Sequence, residues 1–134
     1  MIREDYVSFE VAQLLKEKGF DELCYACYEY FESGVTLYKG WPVEYKGEPV
    51  HNTNERVKCP TLQMAMKWLR EVHDIFIEIM IFDEEDRIGL SEDERYCWNI
   101  HYNSSGNIRP FSGKAKTPEE ASGSAIKYCL ENLI

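Results

Sequence analysis

No stretch of this sequence approaches the roughly 18 consecutive apolar residues that a membrane-spanning helix requires. The opening residues, Met1-Ile2-Arg3-Glu4-Asp5, are charged, and no apolar signal-peptide core follows them, so a cytoplasmic protein is expected. The familiar catalytic motifs are missing as well. There is no G-x-S-x-G, no H-E-x-x-H, no phosphate-cradling glycine loop and no dinucleotide fingerprint. Histidine is scarce: His51, His73 and His101 stand apart, none beside a nucleophile. No catalytic residue and no cofactor is therefore expected, although groups distant in sequence can converge in a fold. Positive charge is in deficit too. Fifteen basic residues against 24 acidic ones leave a net charge of −9, a field that repels nucleic-acid phosphates and anionic lipid. Direct nucleic-acid binding and membrane association are disfavoured on that ground.

What is present describes a globule. The chain has 134 residues, 44% hydrophobic and 13% aromatic, which suits one domain spanning 1–134 with a proper core. Five cysteines, Cys24, Cys27, Cys59, Cys97 and Cys129, make an odd count. In a reducing compartment they are expected as free thiols, several of them on buried faces.

Three segments carry the helical period. Ser8 to Lys18 has an N-cap serine, an apolar stripe of Val11, Leu14 and Leu15, and Gly19 as its stop, after which Phe20 folds back. Thr61 to His73, started by Pro60, repeats Leu62, Ala65, Met66, Leu69 and Val72, with Met64 and Trp68 widening a deeply buried face. Thr117-Pro118-Glu119-Glu120 opens the third helix with a cap, a first-turn proline and a capping-box glutamate. Ala121, Ala125, Ile126, Cys129 and Leu133 form its stripe, and small Ser122, Gly123 and Ser124 would admit a close neighbour.

Strands are expected at Leu23–Phe31 and Val35–Tyr38, joined by the Glu32-Ser33-Gly34 turn. Ile75 to Phe82 alternates isoleucine with Phe76, Glu78, Met80 and Phe82, which reads as a central or mostly covered strand. Arg95 to Tyr102 alternates again, and Ile108 to Phe111 closes the meander as an edge strand, because Pro110 cannot donate to a ladder. Residues 39–59 are a long loop, functional or hiding a strand. The expected class is α+β: three helices packed on an antiparallel sheet, in the order α-β-β-(loop)-α-β-β-β-α.

Several stretches are distinctive: Tyr6-Val7-Ser8-Phe9-Glu10-Val11-Ala12, Leu14-Leu15-Lys16-Glu17-Lys18-Gly19-Phe20, the run from Cys59 to His73, and Ala125-Ile126-Lys127-Tyr128-Cys129-Leu130-Glu131. They resemble an abundant family of small uncharacterised proteins from anaerobic gut bacteria and their prophages or other mobile elements. That resemblance implies a bacterial, cytosolic, mobile-element setting. It brings no assigned activity and transfers no site residue. Separately, Thr61 to Ile134 has the element order of a double-stranded-RNA-binding domain, with Gly113-Lys114-Ala115-Lys116 before the last helix. Where those domains grip phosphates, however, this chain has Pro118-Glu119-Glu120.

Three constellations are candidates for chemistry. Cys24-Tyr25-Ala26-Cys27 has the C-x-x-C spacing, but in a strand-like run its sulfurs diverge, and no second ligand pair for zinc stands nearby. The acidic loop Asp83 to Glu94 begins and ends like a calcium loop. Yet Arg87 occupies a ligand position, and Gly89 falls one place late. It reads better as a solvated loop or an acidic contact surface. The aromatic run Tyr25, Tyr28, Tyr30, Phe31, Tyr38, Trp41 and Tyr45 fits ordinary strand packing best, with a binding surface as the second reading.

The candidate interaction surface is accordingly Tyr30, Trp41 and Tyr45, together with Asp83, Glu84, Glu85 and Asp86. The leading functional reading is a small non-enzymatic protein-interaction module whose partner is another protein or a second copy. One alternative is an acidic nucleic-acid mimic that occupies the basic groove of a DNA- or RNA-handling protein. Another is a small metal- or ligand-binding protein built around Cys24, Cys27 and a histidine.

Overall fold

The computed structural model of the protein describes residues 2–39, 50–82, 94–102 and 108–134. Among them the elements run α1 (Phe9–Glu17), β1 (Cys27–Phe31), β2 (Gly34–Tyr38), β3 (Arg56–Lys58), α2 (Leu62–His73), β4 (Ile75–Ile81), β5 (Tyr96–Tyr102), β6 (Ile108–Ala115) and α3 (Pro118–Asn132). The class is α+β, as the patterning implies. The single sheet is not observed: the strands form two three-stranded antiparallel sheets, ordered β2-β1-β3 and β4-β5-β6. The chain divides correspondingly into two compact units, Met1–Met64 and Ala65–Ile134.

In the first unit, Ser8 caps α1, its Oγ accepting from the Val11 N–H at 3.2 Å. Val11, Ala12 and Leu15 turn inward. At the other end Gly19 takes φ +90, the left-handed turn that side-chain-bearing residues resist. The Gly19 N–H donates to the Lys16 carbonyl at 3.2 Å and the Phe20 N–H to the Leu15 carbonyl at 2.9 Å. This is a Schellman ending, and it brings Phe20 back against the stripe as its apolar complement.

β1 and β2 form a hairpin in which Phe31 pairs with Gly34 and Cys27 with Tyr38. Gly34, at φ +140, absorbs the backbone reversal. The expected strand from Leu23 begins only at Cys27. On its other edge β1 pairs antiparallel with β3, Cys27 opposite Lys58 and Glu29 opposite Arg56. The long 39–59 segment therefore does hide a strand. Pairing frays upstream as isolated bonds, from Cys59 N–H to Ala26 O at 3.0 Å and from Val50 N–H to Cys24 O at 2.8 Å. The buried Lys58 ammonium is held by Asp21 Oδ1 at 2.9 Å and the Glu22 carbonyl at 3.1 Å. It pins the stretch that follows α1.

Thr61 Oγ1 accepts from the Met64 N–H at 3.1 Å and so caps α2. The buried stripe of α2 is Leu62, Ala65, Trp68 and Leu69. This face is narrower than expected, because Val72 is 56% exposed and Met64 is exposed as well. Asp74 at φ +54 ends the helix and feeds the chain straight into β4. Aspartate is one of the few residues that tolerate that region.

The second unit packs α3 against all three strands of β4-β5-β6. Thr117 Oγ1 accepts from the Glu120 N–H at 3.1 Å. The reciprocal bond of the capping box is displaced by one residue, with the Lys116 N–H donating to Glu120 Oε2 at 3.0 Å. Ala121, Ser122, Ala125, Ile126, Cys129 and Leu130 are buried, so Leu130 stands where Leu133 was expected. Ser122 Oγ donates back to the Pro118 carbonyl at 2.9 Å. A methyl group at Gly123 would meet nothing within 4 Å, so no close approach explains that glycine.

The central strand here is β5, with Cys97, Trp98 and Ile100 buried. β4, expected to be covered, is an edge strand, leaving Phe76 46% and Ile81 50% exposed. β6 is the other edge, as Pro110 implies. Its register slips between Trp98, which pairs with Gly113, and Ile100, which pairs with Arg109.

Candidate functional site

The first unit carries an open cleft of about 230 Å³. The start of α2 supplies Thr61 and Met64, the stretch before β1 supplies Leu23, Cys24 and Tyr25, and Tyr6 and Lys39 close the sides. An isolated bridge between Tyr6 and Thr61 fixes one wall. It is reinforced by the Val7 N–H on the Pro60 carbonyl at 3.1 Å and the Leu62 N–H on the Asp5 carbonyl at 2.9 Å. The Lys39 ammonium lies 5.5 Å from the Tyr6 ring centroid, a cation–π distance. Leu23, Tyr25 and Met64 bring exposed apolar surface to the cleft.

Burial holds its thiols in the neutral form. Cys24 and Cys59 both line the cleft, while Cys27, in β1, does not. All five cysteines are buried, and no disulfide links them. Burial pushes the Cys24 thiol up to about 11 and those of Cys59 and Cys129 to about 12, and it raises Cys27 as well. The neutral thiol is neither an attacking group nor a good metal ligand. Cys59 Sγ is instead directed to the Val7 carbonyl, 3.6 Å away. Tyr28 Oη donates to the same carbonyl at 2.6 Å, and burial raises that phenol to about 12. Among the described residues no three His, Cys, Asp or Glu side chains gather as a metal ion would require.

Of the seven surface residues proposed from sequence, Tyr30 is described. It is half-buried, its ring packed on Phe9 at 5.4 Å, with Tyr28 on the same ring at 5.5 Å. These two tyrosines join β1 to α1. Trp41, Tyr45, Asp83, Glu84, Glu85 and Asp86 lie outside the described residues. The last position of the acidic loop, Glu94, forms an ion pair with Lys114 at 3.5 Å. His101 Nε2 sits 2.8 Å from Glu78 Oε2, across the β4–β5 pair.

The surface chosen from sequence keeps only Tyr30 of the β1–β2 hairpin and leaves out its apolar exposure. Phe31 is 52% and Val35 48% exposed at its turn end, and Tyr38 is exposed at the far end of β2. The signal was present in outline: apolar Phe31 and Val35 flank the Glu32-Ser33-Gly34 turn, at the end of the hairpin that extends beyond the pairing with β3. No helix among the described residues is long and apolar enough to cross a membrane. No protein-family model matches the chain, and comparison with curated proteins and with solved structures finds no match.

Proposed function

We propose that this chain is a small non-enzymatic protein-interaction module, working in the cytoplasm of a bacterium as part of a mobile element. The observation that supports it is the β1–β2 hairpin. Phe31, Val35 and Tyr38 are exposed on it, and among the described residues β2 has a neighbour on one side only. Exposed aromatic and β-branched side chains next to unpaired backbone groups are what strand-adding partners use. The test is affinity purification from the native host with the wild-type chain and with a Phe31→Ser/Val35→Thr/Tyr38→Ser variant of unchanged circular dichroism. A partner held by the wild type and lost by the variant supports the reading. Identical retained proteins would remove it.

Two further readings each rest on one feature. The net charge of −9 favours an acidic mimic that fills a basic nucleic-acid groove; such a complex dissociates as salt rises. The cleft of about 230 Å³ favours a small-ligand protein instead. Native mass spectrometry of the purified chain distinguishes that reading, since retained ligand or metal mass would place the cleft first.

A further inference from the structure

β4 is seven residues long, and in the order β4-β5-β6 it has a neighbour on one side only among the described residues. The register tells which backbone groups its open side presents. The Phe82 N–H donates to the Arg95 carbonyl at 2.9 Å, so that pair is hydrogen-bonded to the β5 side. Alternation along an antiparallel ladder then turns Met80, Glu78 and Phe76 toward β5, and Ile75, Ile77, Ile79 and Ile81 outward. Those outward N–H and C=O groups are a template for another strand.

The sheet treats its two edges differently. β6 carries Pro110, the exposed Lys114 and a register slip, three devices that discourage edge pairing. β4 reads Ile-Phe-Ile-Glu-Ile-Met-Ile, with no lysine, arginine, proline or glycine and no slip. Such an edge is built to be covered.

We propose that a second copy of this chain covers it, through β4 pairing antiparallel with β4 about a two-fold axis at Ile79. This goes beyond the hairpin reading above: it uses the open edge of β4, in the second unit, and takes a partner of its own. The strand is complementary to itself: every outward-turned residue is isoleucine, and all four side chains share one face. With Ile79 opposite its copy, Ile77 meets Ile81, Phe76 meets Phe82, and Glu78 meets Met80. Centring the axis on Glu78 would oppose two carboxylates, which directly opposed strand positions penalise. The axis at Ile79 avoids this and brings Phe76, half-exposed in the single chain, onto an aromatic partner.

The test uses the full chain in sedimentation equilibrium from roughly 1 to 500 µM, with two substitutions on the exposed strand. Ile81→Pro deletes an outward N–H and none that bonds β5. Phe76→Ser removes exposed apolar surface. Each enters the interface twice, and each should weaken the dimer about tenfold or more. Ile79→Cys provides an independent readout. At the axis its Cα atoms would stand about 5.5 Å apart, within disulfide reach, so mild oxidation cross-links Ile79→Cys and leaves Ile77→Cys, opposed to Ile81, uncross-linked. A wild-type monomer across the range overturns the proposal. So does a dimer that survives both substitutions and shows no Ile79→Cys cross-link; that result would move the self-contact elsewhere while leaving the interaction module standing. Loss of partners by the hairpin variant is read separately, so each idea can fail alone.

Discussion

Gly19 and Gly123 make the residue-scale argument in opposite directions. Gly19 holds φ +90 at the end of α1, a conformation that a Cβ makes costly, so Gly19→Ala should destabilise the protein by about 1–2 kcal/mol. Gly123 lies within α3 at ordinary helical φ with free space around it, so Gly123→Ala should stabilise by about 1 kcal/mol. Urea midpoints of the two variants check both signs. The first role was legible, because a glycine just past an apolar helical stripe is a stop signal. The second was not, since three small residues in a row read equally as a close approach or as unused space.

The thiols make a prediction with pH. Burial raises Cys24, Cys59 and Cys129 from 9.0 to between about 11 and about 12, so folding favours the neutral thiol. Their contribution to stability is complete below pH 9 and is lost as pH climbs from there through the folded values. Stability should therefore fall across that alkaline window. At pH 8 a thiol reagent should label none of the five cysteines rapidly in the folded protein, and all five in urea. Rapid native labelling of Cys24 or Cys59 would contradict the buried, protonated state assigned to these thiols.

At the scale of elements, the caps were the most legible feature because their chemistry is local. Ser8 and Thr117 accept from the backbone three residues on, as their spacing implies. Thr117→Ala should cost about 1 kcal/mol, read as a lower thermal midpoint, with α3 amides exchanging faster. Strand identity was less legible. β3 has only three residues, too few for alternation to register, and it is held by pairing with Cys27–Glu29, far away in sequence. β4 misled for a different reason. Apolar residues on both faces usually mean a covered strand, but coverage of the edge depends on sheet order, which no local pattern encodes. Its apolar second face, with Phe76 exposed, makes sense if another chain completes the sheet.

For the whole molecule, the division into two sheets left no mark in the sequence. Helices alternating with antiparallel strands on short connections are compatible with one sheet or two, and the long-range pairings decide between them. The candidate surface was only partly legible. Aromatic clustering pointed to the stretch that folds as the β1–β2 hairpin, in which Tyr30 is engaged with Phe9 while Phe31 and Val35 are exposed. Charge gives the whole-molecule prediction. Two chains of −9 repel, so self-association through apolar β4 should tighten as salt screens the pair. Attachment of the acidic surface to a basic partner should weaken over the same range. Sedimentation at 50 and 500 mM salt separates the two signs.

The most direct measurement is hydrogen exchange at single β4 amides as a function of protein concentration. Glu78 and Met80 donate toward β5 and should be protected at every concentration. Ile77, Ile79 and Ile81 face the open edge. They should exchange quickly in dilute protein and become protected as copies pair. Outward amides that exchange freely at every concentration, while their neighbours stay protected, would contradict the claim that two copies meet along this edge.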